Sequence, residues 1–514
     1  MSALFTERVL FGLVWAVALA LVAIALITDR NFWRDEAMVF QAIQNQGFVA
    51  PGVALEYYEQ ALPYGVYVIE KLLITGFGLS ETVLRLPGVA AYIIGLIALQ
   101  WCTRAIGTAA GRLTAFAVGA VSYQVILQAL MFKHYTFEFA ATAVLVAVSL
   151  PLFTKELRRR SVAAFVVVFL FCLPFSNTVI FVALAIIGAA LLLRVIERRP
   201  GGLRSSLYVA AGGVASVTLF GLWYVLVLHP STLVQLSLTA YVKQGLVNSL
   251  YRYAVSLLGL FAPGDTALVF AAFALALGVV LAWGLWLSFR SIRVSPLPVP
   301  HLVLLLAIGG TIASSIIGIV PFASPRHLVF LMPLIALGLG SSVDRISVWS
   351  AGRERSSRQR QNQRQTARRV VVASLAAVLL LTGAIAAVAT KQEAGAALAA
   401  TAGVCSDVYV DYTLQPSAMI YLQRDEPAIR LHGLVSAKSG IGKDSWYERV
   451  TGNMPGYKQQ AVDYFATVQS SCVLTLDTDL LIRPIEASGF TCAILASKNQ
   501  ADIYDCTRGR RSGS

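Results

Sequence analysis

The sequence predicts a polytopic α-helical membrane protein of about 11 spans with a small C-terminal α/β extracytoplasmic domain. Three observations carry this. Only 13% of the residues are charged, roughly half the share of a soluble globular chain. Apolar runs of bilayer-crossing length, about 20 residues each, recur from Val9 to Thr390. Beyond that point polar and apolar residues mix in ordinary proportion, and four of the six cysteines collect there. The division is 1–390, a membrane domain, and 391–514, a soluble domain long enough for a small core of its own.

The spans are expected at about 9–28, 84–103, 113–129, 137–153, 161–174, 177–193, 206–228, 266–288, 301–320, 327–343 and 370–390. The first run has no small-residue cleavage site and leads straight into a charged loop, so it is a retained span and not a signal peptide. Counting Lys and Arg between spans gives about 21 on the side that holds Arg8, Lys155–Arg160 and Arg345–Arg369, and about 8 on the other. The richer side is cytoplasmic. That places the N-terminus inside and the C-terminal domain outside. The net charge of +14 therefore reports topology, not a nucleic-acid partner: the soluble domain holds about 12 basic and 13 acidic residues.

This parity requires that Pro63–Leu79, apolar but carrying Glu70 and Lys71, not cross the membrane. It is expected as an interfacial or re-entrant helix in the first outer loop, 29–83, with further interfacial helices at Ala37–Gln46 and Leu55–Leu62. Arg353–Arg369, rich in Arg, Gln and Ser, is expected as a linker near anionic headgroups.

In the C-terminal domain Asp407–Asp411 and Cys472–Leu476 read as strands, and Pro416–Leu422 and Met454–Val468 as helices. Four cysteines in an outward-facing domain suggest two disulfides. Three pairings are available, of which Cys405–Cys506 with Cys472–Cys492 is the expected one. No Cys-x-x-Cys spacing supports zinc, and no glycine-rich loop follows a strand to support a nucleotide.

Three outer loops hold the unusual polar residues. Asn31-Phe-Trp-Arg-Asp-Glu-Ala37 sets Asp35 and Glu36 beside Arg34 at the membrane surface, where a carboxylate can serve as a base. Met131-Phe-Lys-His-Tyr-Thr-Phe-Glu138 carries Lys133, His134, Tyr135 and Glu138; Glu138 lies at the membrane edge, where an ionisable group needs a partner, and Lys133 is the candidate. Phe322-Ala-Ser-Pro-Arg-His-Leu328 offers Arg326 and His327, and guanidinium matches phosphate geometry. Arg252 is a weaker phosphate candidate. The bland alternatives are solvated charges flanking a span end and arginines snorkelling to headgroups.

These patches resemble a known family. A first span followed by Trp33-x-Asp-Glu36, then Gly78-x-Ser-Glu-x-x-x-Arg-Leu-Pro87 opening the second span, is similar to the start of C-type (GT-C) glycosyltransferases. Members include protein O-mannosyltransferases, lipid A aminoarabinose transferases and lipopolysaccharide galacturonosyltransferases. The resemblance implies a GT-C-like membrane domain. It implies a sugar donor on polyprenyl phosphate and a lipid, glycan or protein acceptor in the cell envelope. It implies inverting transfer at the outer face, with Asp35 activating or orienting the acceptor and Glu36 positioning donor or acceptor. Arg326, with Lys133 or Lys71, would steady the phosphate. One departure stands out: such enzymes often carry Lys-Pro-Pro-Leu where this chain has Gln60-Ala-Leu-Pro-Tyr-Gly65. No cofactor is required; a divalent cation at Asp35-Glu36 is the weaker reading, since two adjacent carboxylates are few ligands for one. The competing functions are a transporter or flippase of lipid-linked glycans and a non-catalytic assembly protein. A transporter should show internal repeats and ionisable residues at the midplane, whereas here they cluster at the outer boundary.

Overall fold

The computed structural model describes residues 3–27, 32, 34–58, 60–154, 157–196, 202–231, 246–261, 267–290, 299–316, 324–352, 404–425, 428–436, 453–498 and 501–508. The membrane part is helical: α1 (Ala3–Ile27), α2 (Arg34–Gln44), α3 (Tyr64–Phe77), α4 (Glu81–Cys102), α5 (Ala109–Val121), α6 (Tyr123–Ala129), α7 (Tyr135–Ser149), α8 (Arg159–Cys172), α9 (Val179–Ile196), α10 (Gly202–Trp223), α11 (Leu246–Leu258), α12 (Ala267–Arg290), α13 (Val299–Ile316) and α14 (Met332–Gly352). Helices occupy ten of the eleven expected span positions; 370–390 and Arg353–Arg369 lie outside the described residues. Among the described residues seven helices are long and apolar enough to cross a bilayer, and α5 with α6 makes an eighth if that pair, bent by 46° at Ser122, is one span.

The first outer loop folds back on the bundle. α2 and α3 are amphipathic and pack on one another through Ala37, Phe40, Ile43, Tyr67 and Ile74. At 14 residues α3 is too short to span, as expected of Pro63–Leu79. The helix expected at Leu55–Leu62 is absent. A Pro51-Gly52 turn precedes it, with Gly52 at φ 90° and its Cα pressed on the Leu226 carbonyl, where a Cβ would come within 2.5 Å. Tyr58 then takes φ 57°, a value that breaks a right-handed helix.

The C-terminal domain is a five-stranded sheet of order β2-β1-β3-β5-β4, with β1 (Asp407–Val410), β2 (Arg430–His432), β3 (Ser470–Thr475), β4 (Phe490–Lys498) and β5 (Ala501–Arg508). β1 is parallel to both neighbours, while β5 runs antiparallel to β3 and β4. The crossovers carry α15 (Gln415–Asp425), α16 (Met454–Thr467) and α17 (Thr478–Ala487). Alternation along β1 separates two cores: Val408 and Val410 meet Leu414 and Ala418 beside α15, and Tyr409 meets Phe465 and Ile482 of α16 and α17. The expected strands and helices are present; β2, α17 and the β4–β5 hairpin were not foreseen.

The disulfide pairing differs from expectation. Cys405 bonds Cys472 and Cys492 bonds Cys506. The sheet dictates this: Cys492 and Cys506 are direct cross-strand partners, and Val408 pairs with Cys472, which brings Cys405 beside β3.

Candidate active site

Asp35 and Glu36 stand in the first turn of α2, where the helix dipole favours carboxylates. Both are buried, and their surroundings are different. Glu36 Oε1 accepts the Phe132 amide at 2.7 Å, and the Arg85 guanidinium lies 3.4 Å from each carboxylate oxygen. Arg85 also sits 5.4 Å over the Phe32 ring, which stacks on Phe132 at 5.3 Å. Glu36 is thereby neutralised inside a closed shell.

Asp35 faces cations from three other places in the chain or beside it. Arg326 Nη1 reaches Oδ2 at 2.5 Å and Arg34 Nε reaches Oδ1 at 3.4 Å. Burial pushes the Asp35 carboxyl up, but Lys133, Arg326 and Arg34 together outweigh it and hold the group well below the usual carboxylate range. Arg326 opens the short 3-10 helix Pro325–Leu331 and lies over the Tyr135 ring at 6.0 Å. The His327 ring is 6.0 Å from that of Tyr135, and His134 packs on Tyr135 at 4.4 Å. The structure therefore brings Arg34, Asp35, Lys133, His134, Tyr135, Arg326 and His327 to one end of the bundle.

Lys133 is half-buried, and its Nζ donates to Gln60 Oε1 at 2.9 Å. Burial pulls its ammonium down to about 8, against the opposing pull of Asp35 and Glu36. A lysine from the second loop thus stands against the residue where the first loop lacks one. Burial, with Lys133, His327 and Arg326 nearby, pulls the His134 imidazole down to about 3, so the ring is neutral. Its Nδ1 is buried and finds no partner among the described residues.

Two expected placements differ. Glu138 does not pair with Lys133; it faces His134 at 4.0 Å and is held by the Asn177 backbone and Thr178 side chain, because α7 turns it inward one turn below Lys133. Lys71 does not reach Asp35. Its Nζ donates to the Ile43 and Gln46 carbonyls at 2.8 and 2.5 Å, closing the far end of α2. Such a bond answers carbonyls that a helix C-terminus leaves orphaned. Arg252 is exposed on α11. Trp33 lies outside the described residues.

Sequence reasoning gave no role to Arg85, Gln60, Phe132 or Tyr421. Arg85 left a signal as the arginine of the Gly78–Pro87 run, and Gln60 as the first residue of the departure from Lys-Pro-Pro-Leu. Among the described residues no three His, Cys, Asp or Glu side chains gather as a metal set.

No protein-family model and no curated protein matches the sequence. Solved structures do. ArnT from Cupriavidus metallidurans in the apo state aligns at a TM-score of 0.53 and 14% identity, covering 98% of this chain and 98% of that one. The chain shares the C-type (GT-C) fold of ArnT. The structure of ArnT bound to undecaprenyl phosphate aligns over 96% of this chain and 97% of that one, with a TM-score of 0.50 and 14% identity. The ArnT likeness runs through membrane helices and C-terminal domain alike, so the two parts here form one architecture.

Proposed function

We propose that the chain is a membrane glycosyltransferase that moves a sugar from a polyprenyl-phosphate donor to an envelope lipid, glycan or protein. The reaction takes place at the outer face of a bacterial inner membrane. The observation that carries this reading is the charge around Asp35. Arg34, Lys133 and Arg326 surround one carboxylate, since Glu36 is already matched by Arg85. Such a site favours an anion beside a base. That ArnT with undecaprenyl phosphate shares this fold supports the same choice.

In the proposed step the acceptor hydroxyl oxygen attacks the anomeric carbon and Asp35 takes its proton. The bond from that carbon to the phosphate oxygen breaks, and the lipid phosphate leaves with the electron pair. Arg326, Arg34 and Lys133 steady the charge that grows on it. Attack opposite the leaving group inverts the anomeric centre. Tyr135, His134 and His327 shape the wall beside Arg326, while Glu138 holds His134 from below. Glu36 positions the loop through Arg85 and does not itself take the proton.

The test is mass spectrometry of envelope glycolipids from a strain lacking the chain, complemented with wild type or Asp35→Asn. Loss of one sugar modification in the deletion and in Asp35→Asn supports the reading. Full modification by Asp35→Asn at normal protein level rejects it, and an accumulated unflipped donor lipid in its place points to transport.

A further inference from the structure

We infer that the C-terminal domain positions the catalytic loop: through Ser417 and Tyr421 it fixes the backbone that presents Asp35. The inference rests on the reading of Asp35 given above and names its scaffold. Phe32 precedes α2 and belongs to no helix or strand. Its amide donates to the Tyr421 hydroxyl and its carbonyl accepts from Ser417 Oγ at 3.3 Å. The Tyr421 hydroxyl in turn donates to Glu81 Oε1 at 3.2 Å, tying the loop to the start of α4.

Phe32, Ser417 and Tyr421 are all fully buried. A buried peptide group left without partners loses its bonds to water with nothing in return, and among the described residues no helix or strand includes Phe32. The α15 side chains therefore supply what the loop cannot supply itself. The Phe32 ring continues the chain of contacts, stacking on Phe132 and lying under Arg85, the two groups that hold Glu36.

A second anchor lies about two turns into α2. Gln41 Nε2 donates to the Pro416 carbonyl at 2.5 Å, and the Tyr58 hydroxyl donates to Gln41 Oε1 at 3.1 Å. Ile420 and Tyr421 enter the same apolar cluster as Phe40, Ile43 and Leu84. On its other side α15 leans on the sheet through Ala418, with Leu414 just ahead of the helix. The sheet backs α15, and α15 is the face set against the loop.

The experiment is amide hydrogen exchange of the full chain in nanodiscs, paired with binding of undecaprenyl phosphate. Tyr421→Phe and Ser417→Ala are each expected to speed exchange across residues 32–44 about tenfold, with β3 and β5 unchanged. Ser417→Thr, which keeps the hydroxyl, is expected to hold the wild-type rate. Tyr464→Phe, which loses only a bond inside the domain to Ser471, is expected to leave 32–44 unaffected. Unaltered exchange at 32–44 in both loop-facing variants overturns the inference, as does loosening that spreads equally through the sheet. If wild type fails to bind undecaprenyl phosphate while Tyr421→Phe still loosens 32–44, the donor reading falls and the positioning stands.

Discussion

The two ends of the helix bundle treat charge in opposite ways. Away from Asp35, Arg112 and Glu7 form a two-pronged pair at 2.7 and 2.8 Å, and Arg112 also bonds the Ile106 and Gly107 carbonyls. Asp344 accepts the Thr108 amide at 2.7 Å, and Arg194 closes the carbonyls of Ala190 and Leu152. Charge there is matched locally and ties helix to helix. At the Asp35 end three cations meet one carboxylate, and Arg326 and Arg34 keep about a third of their side chains exposed. Matched charge holds the fold; cations gathered half-open around one described carboxylate are what a phosphate ester can use.

The sharpest way to break this contrast is Asp35→Asn. The amide keeps the volume and loses the base, so transfer should fall by two to four orders of magnitude, with the protein still folded. A loss of folded protein comparable to the loss of activity would show that Asp35 too is a structural charge. Arg85→Ala, on α4, is the counterpart for the neighbouring carboxylate in that turn of α2. It leaves Glu36 buried without its cation, which costs about 3–5 kcal/mol. The expected result is a large drop in thermal stability, rescued in part by Glu36→Gln in the same chain, since the unpaired charge is then gone. A variant of full stability with selective loss of transfer would move Glu36 into the chemistry.

The same contrast separates what was legible in the sequence from what was not. Span positions were legible because a bilayer forces apolar runs of about 20 residues. Asp35-Glu36 was legible as a pair, but its division of labour was not. The Asp35 partner Arg326 comes from 291 residues away and the Glu36 partner Arg85 from 49, and no local pattern encodes either distance. Lys71 was expected near the phosphate as an alternative to Lys133, whereas its Nζ folds back on the Ile43 and Gln46 carbonyls at the end of α2, a contact its own helix does not encode. Leu55–Leu62 misled because its apolar spacing fits a helix, while the Pro51-Gly52 turn and Tyr58 set a different backbone. The disulfides followed strand order, which depends on a β4–β5 hairpin whose strands carried too little alternation to foresee.

Lys133 gives a smaller effect with two opposite signs. Burial pulls its ammonium down to about 8 from the ordinary 10.5. Raising pH from 7 to 9 removes one of the three cations while Asp35 stays ionised, so affinity for undecaprenyl phosphate should fall about three- to tenfold. Lys133→Met should flatten that dependence. Stability should run the other way. The folded chain gives up this proton before the unfolded chain does, so the Lys133 contribution rises with pH between about 8 and 10.5. Binding that is flat across pH 7–9 in wild type would take Lys133 out of the phosphate site.

The smallest effect belongs to the far end. Glu7→Gln weakens the pair with Arg112, whose side chains are 16% and 25% exposed. Pairs with this much water contact contribute about 1 kcal/mol or less, so the melting temperature should drop by a few degrees at most. The carbonyl contacts of Arg112 persist and no cation near Asp35 changes, so undecaprenyl phosphate affinity should stay within twofold of wild type. A larger change in affinity would mean that α1, which carries Glu7 at one end and leads to Asp35 at the other, transmits the loss along its length. The bundle would then act as one lever, and charge at the two ends could no longer be assigned separately to fold and to chemistry.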